Sequence, residues 1–98
     1  MTTRDETPTP KQSGSFAMMQ GACEETLRSL VVWRVRAAGS PRSDEVVVFE
    51  SKFRALLEEV KSWADVVPTP ESKALTIKSI FDARDEASRW GARWGWTL

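Results

Sequence analysis

Between Ser51 and Val66 the apolar residues fall at only one kind of spacing. Phe53, Leu56, Leu57, Val60, Trp63 and Ala64 recur at three- and four-residue steps, with Arg54, Glu58, Glu59 and Lys61 between them. That period matches the α-helix and no strand. Ser51 stands where a helix cap belongs, and Pro68 and Pro70 stop the helix beyond Val66. A helix over about 51–66 is therefore the fixed point around which the other segments must be arranged.

Upstream, Leu27 to Ala38 reads differently. Val31, Trp33, Val35 and Ala37 share one parity, and Arg28, Arg34 and Arg36 share the other. Alternation with β-branched and aromatic residues predicts a half-buried strand. The stretch 38–44 holds Gly39, Ser40, Pro41 and Asp44 and predicts a turn. Glu45 to Phe49 follows as a second strand, closing a hairpin.

Two readings fit the last third. Ala74, Ile77 and Phe81 continue one long helix to Trp94 after a start at Thr69-Pro70-Glu71. Alternatively Leu75-Thr76-Ile77-Lys78 alternates as a strand, and Asp82, Asp85 and Glu86 open a fresh helix. A short internal echo favours the second: 48–52 and 80–84 both run apolar, Phe, acid, small, basic. The expected elements are thus strand 74–81 and helix 83–94.

The fold class that follows is α+β. A small three-stranded antiparallel sheet carries two helices on one face, in the order ββαβα. An extra short N-terminal helix is added if Phe16, Met19, Cys23, Thr26, Leu27 and Leu30 form a helical face. The expected core is Val31, Trp33, Val35, Val47, Phe49, Leu75 and Ile77. Residues 1–14, with Pro8, Pro10 and Gly14, are expected to be a disordered tail before a single domain over 15–98.

Composition narrows the chemistry. The 98 residues contain no His and a single Cys. A Ser-His-Asp or Cys-His site cannot be built, and neither can an ordinary four-ligand zinc site. The five Gly, at 14, 21, 39, 91 and 95, form no phosphate-binding loop. No catalytic residue, cofactor or metal site is expected. Asp82, Asp85 and Glu86 serve more simply as first-turn acids on a helix than as cation ligands. Cys23 is expected to be an inert apolar filler in a reducing compartment. With no signal peptide and no apolar run near 20 residues, the expected location is cytoplasmic.

Two surfaces carry functional expectations. The first is the C-terminus, Arg89-Trp90-Gly91-Ala92-Arg93-Trp94-Gly95-Trp96. Trp and Arg dominate interface hot spots. Arg89, Trp90, Arg93, Trp94 and Trp96 are therefore expected to bind a protein partner or a second copy, in a small non-catalytic regulatory module. The second is the uncovered face of the sheet. Residues 27–54 hold six basic and three acidic side chains, although the whole chain is neutral. Arg28, Arg34, Arg36 and Lys78 on that face suit nucleic acid as the alternative partner. Neither a membrane nor a small-molecule substrate is expected.

Phe81, Arg84, Glu86, Ala87 and Trp90 add one point. The ten residues 81–90 resemble the strand-to-helix junction of arm-type DNA-binding domains in phage integrases. There a Phe ends the third strand and an acid-Ala pair opens the helix. The resemblance implies a strand ending at Phe81 and lends weight to the nucleic-acid reading. This chain departs from that pattern in placing the helix 51–66 between its strands.

Overall fold

The computed structural model describes the backbone of residues 10–98, and side chains from residue 16. Three helices run in sequence: α1 over Pro10–Arg36, α2 over Arg42–Ser62 and α3 over Pro70–Ala92. Among the described residues there is no strand, so the expected α+β fold is replaced by an all-helical bundle. The first nine residues of the expected tail lie outside the described residues, and α1 begins at Pro10.

The bundle rests on one repeat, present three times. On α1 the buried positions are Met19, Cys23, Thr26, Leu30 and Trp33, and Ala37 just past its end completes the series. Their steps alternate four and three. On α2 the series is Val46, Phe49, Phe53, Leu56 and Val60, continued by its C-cap Trp63, all buried except the half-buried Leu56. On α3 it is Lys73, Thr76, Ile80, Ala83, Ala87 and Trp90, buried from Ile80 onward. A sustained 3-4 alternation is a seven-residue repeat, the packing pattern of near-parallel helices.

This repeat explains why the strand assignments fail. Val31, Val32 and Val35 do favour β structure, at a few tenths of a kcal/mol each in a helix. They face outward, however, while Leu30, Trp33 and Ala37 carry the burial. Of the expected core residues, Trp33 and Phe49 are buried and Ile77 is half-buried; Val31, Val35, Val47 and Leu75 are exposed. Burial of the seam outweighs the local preference of the valines. Likewise 45–49 is the start of α2, and Ser51 lies inside that helix rather than capping it. Residues 74–81 are the first half of α3. Phe81 is half exposed in mid-helix, so the junction resembling the phage integrase domains does not exist here.

The helix ends obey local rules. Thr69 caps α3 through Oγ1, which accepts from Ser72 N–H at 3.1 Å, and Pro70 takes the first turn. Gly39 adopts a φ of 81° where the chain leaves α1. Ser40 and Ser43 then return hydroxyl bonds to the carbonyls of Ala37 and Ser40. The resulting link is short enough to force α1 and α2 antiparallel.

Charges reinforce the register. Glu50 is buried between α1 and α2 and accepts from Arg34 Nε at 2.7 Å, with Arg54 at 3.4 Å. Lys52 of α2 faces Glu86 of α3 at 3.9 Å. Helix α3 meets α1 at its C-terminal end, where Trp90 stacks on Trp33. That end holds the candidate site.

Candidate functional site

The C-terminus of α1, the N-terminus of α2 and the C-terminus of α3 meet at one end of the bundle. Four of the five Trp gather there. Trp33 stacks on Trp90 at 5.7 Å between ring centres and leans on Trp96 at 5.9 Å. Phe49 meets the Trp90 ring edge-on at 5.7 Å, and Trp94 does so at 6.2 Å. Buried indole N–H groups need acceptors. Trp33 Nε1 donates to the carbonyl of Thr97 at 3.2 Å, and Trp90 Nε1 donates to Glu45 at 2.9 Å.

Two glycines make this end. At Gly91 a Cβ would lie 2.7 Å from Trp33 Cζ2 and 2.8 Å from the Trp96 carbonyl oxygen. Only a missing side chain lets the α1 indole rest on the α3 backbone. At Gly95 φ is 75°, the left-handed conformation that reverses a helix. Trp96 N–H returns to the Gly91 carbonyl at 2.9 Å, and Gly95 N–H to that of Ala92 at 3.2 Å. This paired return, with Trp96 packed back on Trp90 at 5.9 Å, is a Schellman closure. The tail is thereby folded onto the bundle.

The five residues expected to bind a partner thus divide. Trp90 is buried and Trp96 half-buried, and both close the core. Trp94 is 43% exposed, and the Arg42 guanidinium sits 4.3 Å from its ring centre. Arg89 and Arg93 are exposed on the adjacent face of α3. Arg89 pairs with Asp85 one turn back, whereas Arg93 has no ion pair among the described residues.

Between α2 and α3, Trp90, Arg89 and Arg93 border an open cleft of about 570 Å³. Phe49 and Trp90 lie beneath it and Val48 beside it. Arg89 and Arg93 stand on the α3 wall with Glu86, and Glu45 stands opposite on α2. Sequence reasoning missed Glu45, Val48 and Arg42, having placed them in a hairpin. The signal was present in Asp44 and Glu45, acids fit for a first helical turn.

The second expected surface does not form, because the described residues contain no sheet to carry it. Arg28, Arg34 and Arg36 are spread around α1, and Lys78 lies on α3. Arg34 is committed to Glu50. Lys78 bonds Asp82 at 2.7 Å, and that carboxylate pushes the ammonium pKa up. Asp82, Asp85 and Glu86 each face a cation, and no metal-binding cluster occurs among the described residues. Cys23 is fully buried, and burial pushes its thiol up to about 11. No helix among the described residues is long and apolar enough to cross a membrane.

Comparison with family models, with curated proteins and with solved structures gave no match to this chain. The functional reading therefore rests on the geometry of this end of the bundle.

Proposed function

We propose that this chain is a non-catalytic helical interaction module whose cleft between α2 and α3 receives a protein partner. The observation that carries the reading is the cleft's make-up. Exposed Val48 borders an aromatic floor of Phe49 and Trp90, and at the rim stands Arg93, which has no ion pair among the described residues. An apolar centre with Arg at the edge is the pattern of an interface anchor. A partner segment carrying an apolar side chain beside a carboxylate fits it. The apolar group enters over Trp90, and the carboxylate meets Arg93 in a charge-assisted contact. Trp94 lies outside the lining and supports it from behind, edge-on to Trp90 at 6.2 Å.

The floor is rigid because three helices and the folded tail converge beneath it. A rigid floor lowers the ordering cost of binding.

The test is site-specific photocrosslinking in the protein's native cells, with the reactive group placed at Val48. A discrete adduct is expected, and it disappears in R93E and weakens in W94A. A reactive group at Val66, exposed beyond the far end of α2, forms no such adduct. Equal labelling from both positions, or an adduct indifferent to R93E, refutes the reading.

A further inference from the structure

The outer face of α1 repeats the seven-residue pattern a second time. Met18, Gly21, Glu25, Arg28, Val32 and Val35 follow steps of three, four, three, four and three. All six are exposed, with Met18 at 66%, Val32 at 50% and Val35 at 67%. The core uses none of them. A stripe with this period fits another helix running alongside.

Its order specifies which helix. Run against itself in the opposite direction about a point between Glu25 and Arg28, the stripe places Glu25 on Arg28 and Arg28 on Glu25. The same two-fold sets Gly21 against Val32 and Met18 against Val35. Acid meets base twice, and each remaining pair is apolar or small. Such self-complementarity is what a two-fold interface requires. Neither Glu25 nor Arg28 has an ion pair among the described residues.

Gly21 is a second, independent observation. Glycine in mid-helix is unfavourable unless something needs its bare backbone. At Gly91 that something is Trp33. At Gly21 a Cβ would meet nothing within 4 Å. Among the described residues nothing uses this glycine, whereas a neighbouring helix opposite Val32 does.

We infer that the protein self-associates as an antiparallel two-fold dimer through the outer face of α1, with Glu25 and Arg28 exchanging ion pairs across the axis. The contact is a single pair of helices and falls below the roughly 1,200 Å² of a standard interface. The dimer is accordingly weak and transient, with a Kd on the order of 100 μM. This contact is separate from the α2–α3 cleft and does not rest on it.

Sedimentation equilibrium of the full chain tests this, from about 10 μM to about 1 mM, bracketing that affinity. The wild type is expected to pass from the mass of one copy to that of two. E25R and R28E each set like charges together twice and should weaken the dimer about tenfold or more. Mixing the two variants restores the complement, and heterodimers form where neither variant alone dimerises. Gly21→Leu, whose Cβ meets nothing within 4 Å among the described residues, also weakens the dimer. R93E, in the cleft, dimerises as the wild type does. Helical circular dichroism is unchanged throughout. A wild type that stays at one copy, single variants that dimerise normally, or a mixture that fails to recover each overturn the inference. Loss of the dimer in R93E overturns it too, by moving the contact to the cleft.

Discussion

The same substitution, Gly to Ala, should act with opposite sign at two positions of this bundle. At Gly21 and Gly91 alanine is favoured by helix propensity by about 1 kcal/mol. At Gly21 the new methyl meets nothing, so G21A should stabilise by about that amount. At Gly91 the methyl arrives 2.7 Å from Trp33 Cζ2 and 2.8 Å from a backbone oxygen. Neither neighbour yields easily. Trp33 is fixed by its stack on Trp90 and its bond to Thr97, and the oxygen is that of Trp96, whose N–H makes the Schellman closure. Overpacking of this kind costs about 1–3 kcal/mol. Disturbing the stack costs about 0.5–1.5 more. Against the propensity gain, G91A should be destabilised by about 0.5–3.5 kcal/mol. For a chain of this size 1 kcal/mol moves Tm by roughly 4–8 °C. Thermal melts at a few micromolar, where the α1 dimer is dissociated, should therefore show G21A melting higher than wild type and G91A lower. Urea titrations followed by Trp emission should give the same order. If G91A is as stable as wild type, Trp33 does not rest on α3. If G21A is destabilised, something inside the chain uses that glycine.

Two other perturbations probe the interior. Arg34→Ala leaves the buried Glu50 carboxylate with only the longer Arg54 contact and should cost about 2–3 kcal/mol, whereas Glu50→Leu, which removes the charge itself, should stay within about 1 kcal/mol of wild type; urea unfolding that ranks the two the other way contradicts the account. Burial raises the Cys23 thiol from 9.0 to about 11, so the unfolded chain ionises first and the stability this group contributes is complete below pH 9 and is lost as pH rises toward 11. Denaturation curves between pH 8 and pH 11 should show a decline that is shallower in Cys23→Ala, and equal slopes would refute it.

The legible parts of this fold were those where local preference and tertiary packing agree. The face from Phe53 to Trp63 shows in the spacing because no β-branched residue interrupts it outside. Thr69-Pro70 announces a helix start in sequence as it does in space. At 27–38 the two levels disagree. Three valines crowd the outer positions and impose an alternation, which hides the slower repeat of Leu30, Trp33 and Ala37 beneath. The face from Phe16 to Leu30 had the right period, and extending it three more residues would have reached Trp33. At the C-terminus the residue types drew attention to the right place. Their division into floor and rim was hidden, because Trp90 and Trp94 are one turn apart and differ only in what α1 and α2 set against them. Arg28, Arg34 and Arg36 show the reverse: an apparent cluster on a strand is scattered by a helix.

The concentration of rings at one end gives the bundle an unequal resistance to opening. Trp33, Phe49, Trp90 and Trp96 lock three helices and the tail into one unit there. At the other end Trp63 carries the closure with Lys73 5.8 Å above its ring, and the link beyond exposes Val66 and Val67. Helix α3 is thus anchored at its C-terminus and comparatively loose where it begins. Transient opening starts where least area is given up. Amide protons in the first turns of α3 should exchange with solvent well before those around Trp90, as if the helix were a door hung on an indole hinge.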